Sequence, residues 1–173
     1  LRLYFIDAHT GALLLSLNDL QSQAAIGTGQ GVLGDAKKLS VRKVTGGYRT
    51  EDDLRPPTLL TFDLKRNFAR VKGFLNGTTS LLASDLATDT DNLWTDGAVV
   101  DAHVYGGWVY DFFYKRFGRR GLDDTNLPVS SIVHPVDRAT IAFQSSTTVG
   151  TFYMNAFYAG EGIRVFGEGL PGN

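Results

Sequence analysis

Apolar residues recur at helical spacing in one long stretch of the chain, between Asp96 and Gly118. The centre of its apolar stripe is formed by four residues at intervals of four, Val100, Val104, Trp108 and Phe112. Other apolar residues flank this stripe, so the pattern predicts a long helix at about 96–117 that is buried on most sides. If Trp108 lies in the core, its replacement with Ala costs about 3–5 kcal/mol of folding free energy.

The ends of this stretch favour the same helix. The Asp96 side chain can accept hydrogen bonds from free N–H groups of the first turn, and Gly118 can adopt the left-handed conformation that ends a helix. Lys115 and Arg116 place positive charge near the negative end of the helix dipole. The pair Gly106-Gly107 is a poor helix former, and we expect another backbone to cross the helix closely there.

Short β-type runs dominate the remainder of the chain. The runs at 3–6 and 12–17 predict a hairpin, and further runs lie at 38–44, 58–63, 68–75, 130–134, 140–144, 151–157 and 163–166. We expect the run at 68–75 to end in a hairpin turn at Asn76-Gly77, and the runs at 140–144 and 151–157 to pair. The order of elements predicts an α+β domain, mainly antiparallel β-sheet with one long buried helix.

Two segments rich in small residues, at 18–25 and 26–34, have no clear helix or strand pattern. Residues 18–25 are polar and then small, which predicts a linker and a boundary between residues 1–24 and 25–173. Gly29, Gly31 and Gly34 match the spacing G-x-G-x-x-G formally. A strand-like run follows them instead of a helix, so we reject a dinucleotide-binding loop and interpret them as glycines of β turns and bulges.

Composition excludes several partner classes. The net charge is −1, which provides no general field for nucleic acid or for anionic membranes. No apolar run approaches the length of a membrane span, and the chain has no cysteine. Because it begins at Leu1 without an initiator Met or a signal-like segment, we expect a processed or excised piece of a longer protein.

Few residues suggest chemistry by themselves. The three histidines, His9, His103 and His134, have no metal-ligand spacing, and a His-Glu-x-x-His motif is absent from the sequence. We expect His103, on the long helix, to be a structural histidine. Asp89 and Asp91 have the spacing that calcium loops use, while Asp residues are also common in solvated Asx turns, and both alternatives stay open.

Several segments together resemble the N-terminal domain of thermolysin-like zinc metallopeptidases, the neutral protease or bacillolysin type. The segments that carry the resemblance follow one another in order along the chain: Tyr4 to Leu14, Gly29 to Asp35, Leu59 to Asp63, Asp89 to Asn92, Val100 to Asp111, Ser131 to His134, Asn155 to Tyr158 and Val165 to Gly169. The first is similar to the last hairpin of the family's propeptide. The resemblance therefore implies that residues 1–24 are the end of a propeptide and that 25–173 are the N-terminal domain, without the zinc-binding helix.

The resemblance also implies that this chain binds substrate and that another portion of the same protein binds zinc. Asn155, Ala156, Phe157 and Tyr158 would form the strand that holds an extended peptide substrate, with the Asn155 amide, the Ala156 carbonyl and the Tyr158 ring as contacts. Zinc would be held by a catalytic C-terminal portion of the same secreted zymogen, and calcium would bind at Asp89 and Asp91. No catalytic residue would then lie in this chain, which by itself would be inactive.

Two functions from different classes remain. The first is the substrate-strand portion of a secreted zinc metalloendopeptidase, whose partners are a peptide or protein substrate and its own catalytic portion. The alternative is a non-catalytic β-rich binding or folding module derived from the same domain. A His-Glu-x-x-His motif encoded downstream in the same frame would favour the first.

Overall fold

The computed structural model describes residues 2–18 and 23–169. Two strands at the start, β1 (Arg2–Ile6) and β2 (Leu13–Asn18), form an antiparallel hairpin. Asp7 closes its turn, because one carboxylate oxygen accepts hydrogen bonds from the N–H groups of His9 and Thr10, and Gly11 has a φ of 69°. The predicted hairpin is confirmed. Of the predicted linker at 18–25, residues 19–22 lie outside the described residues. Residues 23–25 are already part of the next strand and pair with residues 41–43, so this part of the linker prediction is wrong.

Ten further strands form two five-stranded sheets. In chain order they are β3 (Gln23–Gln30), β4 (Ala36–Val44), β5 (Gly47–Arg49), β6 (Glu51–Asp52), β7 (Leu59–Asp63), β8 (Thr88–Asp89), β9 (Leu93–Trp94), β10 (Val129–Val133), β11 (Ala156–Gly160) and β12 (Ile163–Phe166). The first sheet has the order β8-β5-β4-β3-β9, and the second has the order β11-β12-β10-β7-β6. Most neighbouring strands are antiparallel, but β10 is parallel to both β7 and β12, and β9 is parallel to β3.

The described residues also form four α-helices: α1 (Phe68–Leu75), α2 (Gly97–Phe117), α3 (Arg138–Ile141) and α4 (Ser146–Phe152). Helix α2 is the predicted long helix, and both of its caps are confirmed. Asp96 accepts hydrogen bonds from the N–H groups of Ala98 and Val99, and Gly118 has a φ of 67°. No helix in the described part of the chain is long and apolar enough to cross a membrane. The predicted α+β class is confirmed.

The core lies on both faces of the second sheet. Between the two sheets, valines 99, 100 and 104 of α2 pack with Leu39 and Val41 of β4 in the first sheet and with Val133 of β10 in the second. On the opposite face, Val71 of α1 packs with Phe62, Ile132 and Val165 of the second sheet. Helix α2 is therefore inserted between the two sheets, and its first half supplies much of the core.

Three predicted strands differ from the structure, and helices begin or end within all of them. The run 68–75 is α1, because Asn67 caps its first turn and Phe68 and Val71 are buried together one turn apart. Asn76-Gly77 is consequently the end of a helix and not a hairpin turn. The runs 140–144 and 151–157 do not pair, because α3 ends at Ile141, α4 reaches Phe152 and only residues 156–157 are strand, as the start of β11. Side chains of Asp137 and Ser145 cap the two helices.

The predicted burial of α2 holds for its first half only. Trp108 is 53% exposed and Phe112 is also 53% exposed, so Trp108 is not a core residue. Further along the helix Phe113, Tyr114 and Phe117 are exposed as well. The prediction was wrong for the second half because the apolar stripe continues along the helix beyond the part that the sheets cover.

The adjacent glycines Gly106 and Gly107 of α2 face side chains and not a backbone. A Cβ atom on Gly106 would lie 2.6 Å from Nη2 of Arg164, and one on Gly107 would lie 2.8 Å from Cζ of Arg55. The predicted close approach at this place is confirmed. The predicted approaching group was wrong, because each glycine faces a guanidinium and not a backbone.

Candidate functional site

Strand β11 is an edge strand. It pairs with β12 on one side, and among the described residues nothing pairs with its other side. The carbonyl of Asn155 accepts a hydrogen bond from the N–H of Gly167, which directs it toward the β12 side. Because successive backbone groups of a strand point to opposite sides, the N–H and C=O of Ala156 and Tyr158 point away from β12. The free edge therefore presents unpaired backbone donors and acceptors.

One side chain of this segment packs against the core, and its neighbours are exposed. Phe157 packs beneath the sheet, and its ring lies 5.6 Å from the ring of Phe152 at the end of α4. Asn155 and Ala156 are exposed, and Tyr158 is 57% exposed. The Tyr158 hydroxyl accepts a hydrogen bond from the N–H of Gly162, which ties the ring to the β11–β12 turn. Phe157 thus holds the strand in place while its neighbours remain accessible.

The loop between β8 and β9 is bonded as an Asx turn. One carboxylate oxygen of Asp89 accepts hydrogen bonds from the N–H groups of Asp91, Asn92 and Leu93. Asp91 accepts from Leu93. Among residues 2–18 and 23–169, no group of three or more metal-ligating side chains is clustered here or elsewhere. The turn alternative accounts for these bonds, and calcium binding at Asp89 and Asp91 stays a prediction.

The histidines that the structure describes do not fit a catalytic zinc site. His103 is buried; its Nε2 lies 2.6 Å from the carbonyl oxygen of Ser40 and its Nδ1 lies 2.9 Å from the Thr61 hydroxyl. The carbonyl can only accept, so Nε2 carries the proton and Nδ1 accepts from the hydroxyl. Burial lowers the pKa of His103, which keeps the ring neutral. The predicted structural role of His103 is confirmed.

His134 belongs to a charged cluster that sequence reasoning missed. Its Nε2 lies 2.9 Å from Asp96 and its Nδ1 lies 3.1 Å from Glu168. The hydrogen bond with Asp96, followed by the charges of both carboxylates, raises the pKa of His134 to about 9. A doubly protonated ring therefore joins the start of α2 to the segment after β12. Asp96 was recognised as a helix cap, but no local pattern shows that it meets a histidine 38 residues away.

Two arginines beside α2 were also missed. Arg55 forms ion pairs with Asp52 and, at 3.0 Å, with Asp111. Arg164 on β12 donates a hydrogen bond of 2.8 Å to the hydroxyl of Ser131. The unusual Gly106-Gly107 pair is the only signal in the sequence that indicates both positions.

Comparison with known proteins bears on the whole domain. A family model described as "Thermolysin metallopeptidase, catalytic domain" matches residues 26–173. The chain is 35% identical over 167 residues to a bacillolysin from Brevibacillus brevis, covering 96% of this chain and 26% of that protein. It is 31% identical to the thermostable neutral protease NprT from Geobacillus stearothermophilus, covering 96% of this chain and 28% of that protein.

Two further proteins are similar to this chain. The extracellular elastase of Staphylococcus epidermidis is 33% identical over 132 residues, covering 75% of this chain and 24% of the elastase. The solved precursor of protealysin, a metalloproteinase from Serratia proteamaculans, aligns with a TM-score of 0.42 and 25% identity over 65% of this chain and 27% of that one. The chain spans about a quarter of the length of the curated relatives it matches. On the match over residues 26–173, the chain belongs to the thermolysin family of metallopeptidases.

Proposed function

We propose that this chain is the N-terminal, substrate-binding portion of a secreted zinc metalloendopeptidase. The observation that carries the proposal is the free edge of β11 within a domain that belongs to the thermolysin family. A peptide in extended conformation can add to such an edge as a further strand. In this position it would pair with the outward N–H and C=O groups of Ala156 and Tyr158.

The side chains around this edge then set the orientation of the peptide. Asn155 is exposed at the start of β11 and offers an amide that both donates and accepts. The Tyr158 ring, held by its bond to Gly162, forms a wall on the same strand. Phe157 does not contact substrate in this arrangement, because its ring packs on Phe152 under the sheet. The role of Phe157 is to hold β11 in position against the core.

The chemical step belongs to another part of the same precursor. Zinc, when bound by that part, supplies a Lewis acid that activates water. The three histidines of this chain are not arranged to hold it, and no group of three ligating side chains lies in the described segments. What these residues do is bind the substrate backbone and orient it.

The hairpin β1–β2 fits the end of a propeptide in this proposal. It forms a self-contained unit, because Asp7 and Gly11 close its turn and its strands pair with each other. Processing of the zymogen would fall between Asn18 and Ile26, after the hairpin has ended at Asn18. N-terminal sequencing of the active secreted enzyme tests this point, since a start at or before Leu1 contradicts it.

The substrate strand is tested by replacing Asn155 with Ala in the full-length protein made from its gene. Loss of one polar contact at a binding site should lower kcat/KM, and the decrease should correspond to a loss of about 1–3 kcal/mol of transition-state stabilisation. The amount of bound zinc should stay unchanged. Gln144→Ala is a matched control, because it removes an exposed amide side chain that lies between α3 and α4 and not on the strand. Unchanged kcat/KM in Asn155→Ala would remove β11 from the substrate cleft. Peptidase activity of the 173-residue chain alone would contradict the division of labour.

A further inference from the structure

The side chain of Arg164 lies between β12 and α2 without an acidic partner. It donates one hydrogen bond to Ser131, and its Nε atom is buried with no hydrogen-bond partner. Its guanidinium also lies 5.9 Å from the centre of the Phe166 ring. Within residues 2–18 and 23–169, no carboxylate comes within 4.0 Å of it. The positive charge is therefore largely uncompensated.

Arg55, beside the same helix, differs from Arg164 because it has acidic partners. It approaches Gly107 as Arg164 approaches the adjacent Gly106, but it pairs with both Asp52 and Asp111. Burial lowers the pKa of Arg55, while the hydrogen bonds to Asp111 and Asp52 raise it by more, so the net shift is upward. For Arg164, burial lowers the pKa and nothing opposes it. A half-buried cation without an acidic partner is costly, so its presence favours an anion nearby.

A cavity next to Arg164 is suited to such an anion. Its volume is about 160 Å³, close to that of a site that holds one benzene-sized molecule. Most of its walls are apolar or glycine, and they come from α2, the loop after it and two strands: Leu59, Gly106, Val109, Tyr110, Phe113 and Leu122 among them. Arg164 and Arg119 line it, and among the residues that the structure describes no acidic side chain does.

The roles of the two arginines differ. Arg119 donates from Nε to the carbonyl of Gly121 and from Nη2 to the carbonyl of Leu122, so it fixes the loop that closes one side of the cavity. Among the described residues, no backbone carbonyl accepts a hydrogen bond from Arg164. Of the two guanidinium groups, that of Arg164 is therefore the one with N–H donors free to bind a ligand. A carboxylate matches that group in shape as well as in charge.

We propose that this cavity binds a carboxylate attached to a compact apolar body, with Arg164 as the group that binds the carboxylate. The apolar walls take the body and the guanidinium takes the charge. Two sources share this chemistry: a free aromatic or branched carboxylic acid, and an Asp or Glu side chain supplied by a longer form of the protein. The inference does not depend on the peptidase proposal, because β11 contributes no wall to the cavity.

The experiment titrates the 173-residue chain with benzoate and 3-phenylpropionate by calorimetry at low salt. We expect saturable binding of at least one of them, and binding roughly tenfold weaker for the neutral analogue benzamide. The Nε–H signal of Arg164 should shift in NMR spectra on addition of the acid. Absence of saturable binding by both acids, or equal binding of benzamide, would overturn the proposal.

Variants separate the site from general charge effects. Arg164→Met should weaken binding by roughly tenfold or more. Arg138→Met, which removes an exposed arginine of α3, should leave it unchanged. If Arg164→Met does not fold, Arg164→Lys serves instead, since a single ammonium cannot form the two parallel bonds and should bind several-fold more weakly. Wild-type affinity in the folded Arg164 variant would also overturn the site.

The two sources are distinguished by repeating the titration on the full-length protein. If it binds benzoate as the 173-residue chain does, the site is open and serves a free acid. If only the shorter chain binds benzoate, a side chain of the longer protein fills the site. In that case Arg164→Met should destabilise the full-length protein while leaving the 173-residue chain as stable as before or more so.

Discussion

Nε2 of His134 lies 2.9 Å from a carboxylate oxygen of Asp96, the residue that caps helix α2. The other oxygen of Asp96 accepts hydrogen bonds from the first turn of the helix, so one carboxylate serves both the helix and the histidine. Glu168 approaches the second ring nitrogen at 3.1 Å. The arrangement links three separate segments through one protonated imidazole.

The first prediction is that stability falls as the pH rises through this cluster. The pKa of His134 is raised from 6.5 to about 9 in the folded protein, so its contribution is complete below pH 6.5 and is lost between about pH 6.5 and 9. After allowing for the exposure of Asp96, we expect a loss of about 1–2 kcal/mol. Urea unfolding of wild type and His134→Gln across this range measures it. Parallel pH profiles for the two proteins would contradict the prediction.

The same cluster has an acid limit. Burial raises the pKa of Asp96, but the hydrogen bond from His134 and those from the helix N–H groups lower it by more. The carboxylate therefore contributes stability above its ordinary pKa of 3.8 and loses it as the pH falls further. Taken with His134, the cluster is most stabilising between roughly pH 4 and 6.5.

The second prediction concerns Arg55. Arg55→Met should cost about 3 kcal/mol or more, because it leaves Asp52, which is 2% exposed, as a buried charge without its partner. Arg138→Met removes an exposed arginine and should stay within about 0.5 kcal/mol of wild type. Denaturant melts compare the two directly. Equal stabilities would show that the Arg55 ion pairs are solvated.

The third prediction separates the two halves of α2. Trp108→Ala should cost about 1 kcal/mol or less, because the side chain is 53% exposed. Val100→Ala should cost about 2 kcal/mol even though it removes far fewer atoms, because Val100 is 0% exposed. Urea melts of both variants give the order. A larger loss for Trp108→Ala would mean that the second half of the helix is covered in solution.

The fourth prediction distinguishes a turn from a calcium loop at β8–β9. Asp89→Ala should cost about 1–2 kcal/mol, because three backbone N–H groups lose their acceptor. If Asp89 serves only the turn, the loss is the same in chelator and in millimolar calcium. A wild-type melting temperature that rises with calcium, and does not rise in Asp89→Ala, would instead establish the cation site. Thermal melts in both buffers decide between them.

Local patterns were sufficient where one segment determines its own structure. Helix α2 was predictable because its apolar stripe spans several turns and Asp96 and Gly118 mark its ends. The β1–β2 hairpin was predictable because its turn residues bond to one another. The α1 segment contains apolar residues that suit a strand as well as a helix, and the bond from Asn67 to the first turn decides between them only in the folded chain.

Pairings between distant segments were beyond the reach of sequence. Arg55 meets Asp111 across 56 residues, and His134 meets Asp96 across 38. Hydrophobic spacing shows which side chains are apolar, but not which of them another element covers, and Trp108 illustrates that difference. The edge strand at Asn155 to Tyr158 came from resemblance to a family, since its own pattern does not distinguish an edge from a centre.

The adjacent glycines of α2 also constrain how this sequence can change over time. Alanine at position 106 would improve helix propensity by about 1 kcal/mol, but its Cβ would meet the guanidinium of Arg164 at 2.6 Å. A shorter side chain at position 164 removes that obstacle, whereas position 107 faces Arg55, which two carboxylates hold in place. Positions 106 and 164 should therefore vary together among descendants of this sequence, with the arginine lost first, while Gly107 persists for as long as Arg55 does.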